Sequence, residues 1–246
     1  MRPPLPSWIR TPLAEARRSL RALRYAGRER HCPVCGTSAR AFLPFGIPPR
    51  PGAMCPRCDA LERHRLVWLY FQRRTDLFDA RPKRLLHIAP ERCFESRLRK
   101  RFGASYVPTD LASPRARVRL DVTRTPFPDG AFDVVYCSHV LQYVPEDRRA
   151  MRELGRLLGA DGWAVLMVPI TQAKTLEDPS VVDPKERLRL FGREDQVRRY
   201  GADFEDRLRE AGFEVTVTRA ADLCSAEEMV RLGLATSGAV FHCRRR

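Results

Sequence analysis

Lysine is nearly missing from this 246-residue chain: Lys83, Lys100, Lys174 and Lys185 are its only four, against 41 arginines. A bias of that size follows from a GC-rich genome. The formal net charge of +15 therefore does not by itself establish a nucleic-acid surface, although a field of that sign favours RNA and acidic lipid surfaces. No apolar run approaches the ~20 residues that a membrane span needs. The opening stretch, MRPPLPSWIRTPLAEARRSLRALRYAGRER, has no apolar h-region and no small-residue cleavage site. Those absences argue against a secretory signal and a transmembrane segment, and the expected location is cytoplasmic. Internal repeats and long low-complexity segments are also missing, which argues against a solenoid.

What is there suffices for one α/β catalytic domain and a small accessory module. Hydrophobic residues make up 43% of the chain, enough for a sizeable core. Residues 1–30 read as a basic helical segment, with Leu13, Ala16, Leu20 and Leu23 at near-helical spacing. Such a helix could lie on an acidic membrane surface, but its apolar face is narrow. Residues 31–82 read as a cysteine-bearing module followed by a connecting helix. From residue 83 to the end, short apolar strands alternate with amphipathic helices, the pattern of a parallel sheet with crossover helices. The predicted strands are residues 84–89, 105–109, 118–120, 132–138, 162–170, 214–219 and 239–243. The polar segment 171–200 is too long for an ordinary loop and reads as a lid or acceptor-side insertion.

Eight cysteines in a chain without an export signal point away from disulfides. Cys32-Pro-Val-Cys35-Gly and Cys55-Pro-Arg-Cys58 form two C-x2-C pairs at the spacing of a zinc ribbon. Two thiolates three residues apart on a tight turn can face one tetrahedral ion, and Gly36 permits the positive φ that such a turn needs. Four thiolates close the shell, so the predicted Zn²⁺ is structural. His31 is a neighbour rather than a ligand in this reading. Cys93, Cys137, Cys224 and Cys243 lack paired spacing and read as small core residues.

Asp110 follows the second predicted strand, where Rossmann-type domains place an acidic residue against ribose hydroxyls. After it come Leu120-Asp121-Val122-Thr123, then Phe127-Pro-Asp-Gly-Ala-Phe132-Asp133, then Ser138-His139-Val-Leu-Gln-Tyr143, then Met151-Arg-Glu-Leu154 and Gly162-Trp163. That succession, from about residue 84 to the C-terminus, resembles the class I methyltransferases of the type 11 group. With the cysteine pairs and Cys58-Asp-Ala-Leu-Glu-Arg-His-Arg65 in front, it is similar to a bacterial subgroup carrying an N-terminal zinc-binding module. The resemblance implies a Rossmann-like sheet of seven mostly parallel strands, the last one antiparallel, and S-adenosyl-L-methionine as cofactor. It implies that Asp110 binds the ribose, that Asp121 and Val122 meet the adenine, and that Ser138 and His139 face the sulfonium and methyl group. The usual glycine-rich loop after the first strand is replaced by His87-Ile-Ala89-Pro-Glu91. This form looks like that of the zinc-bearing subgroup. It implies that Ala89 lies against the cofactor and Glu91 meets its α-ammonium, unless Glu91 only caps the next helix. His87 belongs either to the cofactor's surroundings or to the core.

Methyl transfer from a sulfonium is an in-line displacement that depends on alignment, and a protic acceptor also needs a base. His139 is the first candidate and Tyr143, where relatives often have histidine, the second. Asp178, Arg193 and Tyr200 are candidate contacts to an acceptor that these residues do not name. RNA gripped through the basic surface and a small molecule both stay open. A third reading is a zinc-ribbon nucleic-acid-binding protein whose methyltransferase fold is catalytically degenerate.

Overall fold

A computed structural model describes residues 7–246, with side chains from Leu13 onward. The proline-rich start, residues 1–6, lies outside them. The chain divides into two units, one running to Thr75 and taking in Arg219–Ser237, the other made of Asp76–Thr218 and Gly238–Arg246. Residues 219–237, which the sequence pattern leaves inside the stretch 83–246, thus pack with the first unit.

The first unit opens with α1 (Ser7–Arg24). Two short antiparallel ribbons follow, β1 (Arg30–His31) with β2 (Ser38–Ala39), and β3 (Leu43–Phe45) with β4 (Arg50–Met54). Helix α2 (Glu62–Arg74) buries Leu66, Val67, Trp68, Leu69, Tyr70 and Phe71. With apolar residues around much of its circumference, α2 is the core element of this unit. Arg65, wholly buried on the same helix, donates to the carbonyls of Ala53, Ala60, Leu232 and Gly233 at 2.9, 2.8, 2.7 and 2.8 Å. Its guanidinium also lies 4.2 Å from the centre of the Phe42 ring. A planar group with five donors can satisfy four carbonyls from separate segments at once, where an ammonium has only three donors to offer.

The second unit is built on a sheet. In chain order it has β5 (Leu85–Ile88), α3 (Arg92–Phe102), β6 (Tyr106–Asp110), β7 (Val118–Arg119), β8 (Phe132–Ser138), α4 (Asp147–Arg156) and β9 (Leu158–Met167). Then come β10 (Ile170–Gln172), β11 (Leu176–Glu177), α5 (Pro184–Phe191), β12 (Arg198–Gly201), α6 (Phe204–Glu210) and β13 (Phe213–Arg219). Helix α7 (Ala226–Leu232) belongs to the first unit, and β14 (Ala239–Arg245) closes the sheet of the second. Seven strands lie in the order β13-β14-β9-β8-β5-β6-β7. Strands β5 to β9 pair in parallel, and β14 runs antiparallel to β9. This is the predicted Rossmann-like methyltransferase sheet.

Each predicted strand is present to within a few residues. Gly162–Met167 is buried throughout, as a near-continuous apolar run requires. The core joins Leu86 and Ile88 of β5, Val135 and Cys137 of β8, and Ala164 and Leu166 of β9 to Met151 and Leu154 of α4 and Phe204 and Leu208 of α6. Cys93, Cys137 and Cys243 are core residues, as their isolation in sequence predicts; Cys224 is only half-buried.

The polar segment 171–200 carries structure of its own. Strands β10, β12 and β11 form a small sheet in that order, and α5 is capped by the Asp183 side chain. Buried Arg198 donates to the carbonyls of Leu141 and Pro145 at 2.9 and 2.7 Å, and Arg198 and Arg207 share Glu177 at 2.9 and 2.6 Å. The two guanidinium groups, Arg207 first, hold the Glu177 carboxyl down at about 2. Tyr200, predicted to contact an acceptor, is wholly buried and donates to Asp147 at 2.6 Å. An ion-pair cluster with no apolar periodicity thus fastens this segment to residues 141–147.

Candidate functional site

In an open parallel sheet, ligands bind beyond the carboxyl ends of the strands, where the strand order reverses. Here the order reverses between β5 and β8, because the chain builds outward from β5 first to β6 and β7 and then to β8 and β9. A cavity of about 800 Å³ opens at that point, lined by residues that follow β5, β6, β7 and β8 in turn. Ala89, Asp110, Asp121, Val122, His139 and Tyr143 all line it. These six predicted site residues span 55 positions in sequence, and the sheet brings them to one rim.

Asp110 and Asp121 are held alike. Asp110 Oδ1 accepts from the amides of Ala112 and Ser113, both at 2.8 Å. Asp121 Oδ1 accepts from the amide and hydroxyl of Thr123, also at 2.8 Å. The Thr123 bonds lower the Asp121 carboxyl from its ordinary value. In each case one oxygen orients the side chain through a tight turn, and Oδ2 takes no hydrogen bond among the described residues.

The place of the expected glycine-rich loop is taken by a buried polar network. His87 is fully buried and absent from the cavity wall. Its Nε2 lies 2.6 Å from Glu91 Oε2 and its Nδ1 lies 2.8 Å from the Tyr106 hydroxyl. Because a carboxylate only accepts, Nε2 is the donor, and in the neutral ring Nδ1 accepts from Tyr106. Tyr136 donates to Glu91 Oε1 at 2.9 Å. Glu91 occupies the N-cap position of α3, yet its side chain makes no capping bond; both its oxygens are fixed from beneath instead. Burial and the Glu91 charge push the Tyr136 hydroxyl well above the usual phenol value, so it stays a donor. His87 therefore resolves into a core residue that holds Glu91. The partners Tyr106 and Tyr136 lie 19 and 45 residues away, and no local motif announces them.

Backbone conformation marks the same rim. Three non-glycine residues among those described have positive φ: Asp59, Ala89 and His139, at 62°, 52° and 57°. Two of the three line the cavity. Ala89 thus keeps a conformation that glycine prefers although the glycine is gone, with its amide tied to the Thr109 carbonyl at 2.7 Å. His139 is turned sharply at the end of β8, its amide bonded to Met167 at 2.7 Å and its carbonyl accepting from Gln142 at 3.0 Å. Ser138 is buried behind it, with Oγ 3.4 Å from His139 Nδ1, and does not line the cavity. Tyr143 also lines the cavity, where Gln196 donates to its hydroxyl at 3.4 Å and the Arg193 guanidinium lies 6.0 Å from its ring centre. Asp195 also lines the cavity, so residues 193–196 of the polar segment reach the site; Asp178 lines a separate cleft.

The four paired cysteines form a second centre, in the first unit. Their sulfur atoms all lie within 4.8 Å of one another, with Cys32–Cys58 and Cys35–Cys55 at 3.7 Å. Four thiolates around one ion at ~2.3 Å would sit ~3.8 Å apart, so the group fits a tetrahedral metal. The two turns repeat each other. Gly36 and Asp59, both at positive φ, donate to the carbonyls of Cys32 and Cys55 at 2.8 and 3.1 Å. Cys32 and Cys55 in turn donate to Thr37 and Ala60 at 3.0 and 2.9 Å. His31 stays outside the group, beside Ser38 at 3.2 Å.

Comparison with known proteins bears on the second unit. Residues 94–166 match a family model described as a methyltransferase domain. An S-adenosylmethionine-dependent methyltransferase from Mesorhizobium loti is 18% identical, with 67% of this chain and 91% of that one covered and a TM-score of 0.49. A 1,6-didemethyltoxoflavin-N1-methyltransferase from Burkholderia thailandensis, solved with its substrate and S-adenosylhomocysteine, is 16% identical, with 67% and 72% covered and a TM-score of 0.47. A search of curated proteins finds no match. Residues 94–166 thus match a methyltransferase domain, and the sheet around them has the Rossmann-like strand order of the class I methyltransferase fold.

Proposed function

We propose that the protein is an S-adenosyl-L-methionine-dependent methyltransferase whose cofactor lies in the cavity at the ends of β5, β6 and β8, and whose cysteine centre holds a structural Zn²⁺. The observation that carries this reading is the convergence of Ala89, Asp110, Asp121, Val122, His139 and Tyr143 on one cavity of about 800 Å³, a size typical of small-molecule sites. Asp110 and Asp121 each offer an oriented free oxygen, suited to ribose hydroxyls and to the exocyclic amine of adenine. Val122 supplies apolar wall. Glu91, held by His87 and Tyr136 just beyond β5, is the carboxylate we assign to the α-ammonium, although it does not itself line the cavity.

The bound cofactor would supply an activated methyl group. The chain's own task is to align an acceptor with it and to take up a proton where the acceptor has one. His139 fits both, because its backbone turns sharply at the end of β8 and it lines the cavity. Tyr143 and Asp195, which also line the cavity, are the residues we assign to the acceptor side. A degenerate fold serving only to bind nucleic acid has no observation in its favour. Among the described residues no helix is long and apolar enough to cross a membrane.

Calorimetric titration of the zinc-loaded protein with S-adenosylmethionine and S-adenosylhomocysteine tests the proposal. Micromolar binding is expected, weakened by about 1.5–3 kcal/mol in Asp110→Ala through loss of charged hydrogen bonds. A folded, zinc-replete sample that binds neither ligand would sink it.

A further inference from the structure

Leu13, Ala16, Leu20 and Leu23 of α1 do not face the unit they belong to. Leu13, Leu20 and Leu23 are 45%, 66% and 72% exposed, and Ala16 is exposed with them. At ~100° per residue the four fall within an arc of about 80°. The helix is docked by its polar side. Arg21 donates to the Pro56 carbonyl at 2.7 Å and pairs with Asp59. Glu15, the only acid in the helix, pairs with Arg18 and Arg57 at 2.5 Å. This inverts the usual arrangement, in which an amphipathic helix buries its apolar stripe and exposes its charges.

Arg17 and Arg24 border the stripe on one side and are exposed, and neither has an ion-pair partner among the described residues. Their position discriminates between occupants. Positions 13, 16, 20 and 23 follow a three-four spacing, so a second copy could in principle zip against the stripe. Arg17 and Arg24 would then flank the seam with no acid on the partner helix to meet them, because Glu15 is already engaged. A nucleic-acid backbone would satisfy the arginines but has no use for three exposed leucines. An anionic bilayer satisfies both, with leucines in the headgroup–acyl boundary and guanidinium groups among the phosphates.

We propose that α1 is a peripheral membrane anchor that lays Leu13, Ala16, Leu20 and Leu23 onto an anionic lipid surface with Arg17 and Arg24 at its edge. This holds whether or not the cavity binds an adenosyl cofactor.

The test is sedimentation of the full, zinc-loaded chain with vesicles of phosphatidylglycerol in phosphatidylcholine and with phosphatidylcholine alone. The mixed vesicles should carry the protein down and the neutral ones should not. Leu20→Asp/Leu23→Asp, at exposed positions, should lower partitioning on the order of tenfold or more with zinc content unchanged. Arg17→Gln/Arg24→Gln should lower it and flatten its dependence on anionic lipid. Equal binding to both vesicles, or undiminished binding in the leucine variant, overturns the proposal. So does a concentration-dependent dimer abolished by the leucine variant in a protein that ignores vesicles. Retention on polyuridylate that needs the arginines but not the leucines, again without vesicle binding, would assign the helix to nucleic acid instead.

Discussion

The two units reach order by different chemistry. In the second, Leu86, Val135, Leu154, Leu158, Leu166 and Phe213 are fully or almost fully buried in one apolar cluster spanning sheet and helices. Non-directional burial of that kind tolerates modest change at any one position. In the first, the ribbons are two to five residues long, and much of the order comes from directional groups: four cysteine sulfurs at one point and one guanidinium on four carbonyls. Such groups have no graded substitutes. A small module thus concentrates its stability in a few atoms, and a large one spreads it over an interior.

Removing the metal should break this contrast most widely. Chelation, or Cys55→Ser, should abolish amide protection in residues 30–61 and leave β5, β8 and β9 protected, as hydrogen exchange would record; structural zinc sites contribute about 10–16 kcal/mol. Protection lost equally in both units would show that the contrast is false. Next is Arg65→Met, which keeps bulk but strands buried carbonyls. Denaturant melts of the zinc-loaded protein should show a loss of about 3–5 kcal/mol, from charged hydrogen bonds of about 1.5–3 kcal/mol each that are lost together. Leu154→Ala in the second unit should cost about 2–5 kcal/mol through cavity formation, by the same amount with and without zinc. Ala89→Gly should have the smallest effect. Relief of a left-handed alanine is worth about 1–2 kcal/mol and is partly offset by the freedom of glycine in the unfolded chain. Thermal melts should move by at most a few degrees upward, and a clear drop would mean that the alanine methyl is needed for packing.

What the sequence discloses follows the range of the interaction. The cysteine pairs are local, so spacing alone predicts both turns, including positive φ at Gly36. Strands announce themselves through apolar runs and Asp110 through its place after the second strand, whereas Asp121 is read only through the family resemblance. Long-range partners are silent. Nothing near Arg65 points to the Leu232 carbonyl 167 residues away, and nothing near Glu91 points to Tyr136. Tyr200 misleads for the same reason: in a polar segment it reads as a ligand contact, but a buried Asp147 takes its hydroxyl. The leucines of α1 have the right period for a core face, and only the structure shows them facing outward.

The excursion of the chain between β13 and β14 has a consequence for how the molecule is made. Residues near the N-terminus leave the ribosome first, yet two of the four carbonyls that Arg65 requires belong to residues 232 and 233 of 246. At synthesis rates of about 5–20 residues per second, the cysteine turns wait some ten seconds or more for that segment. Throughout that interval the guanidinium of Arg65 lacks two of its acceptors, and the nascent module must hold its turns with contacts among its own first 75 residues alone. The module that is made first is therefore completed almost last, by a helix synthesised after the whole sheet but its final strand.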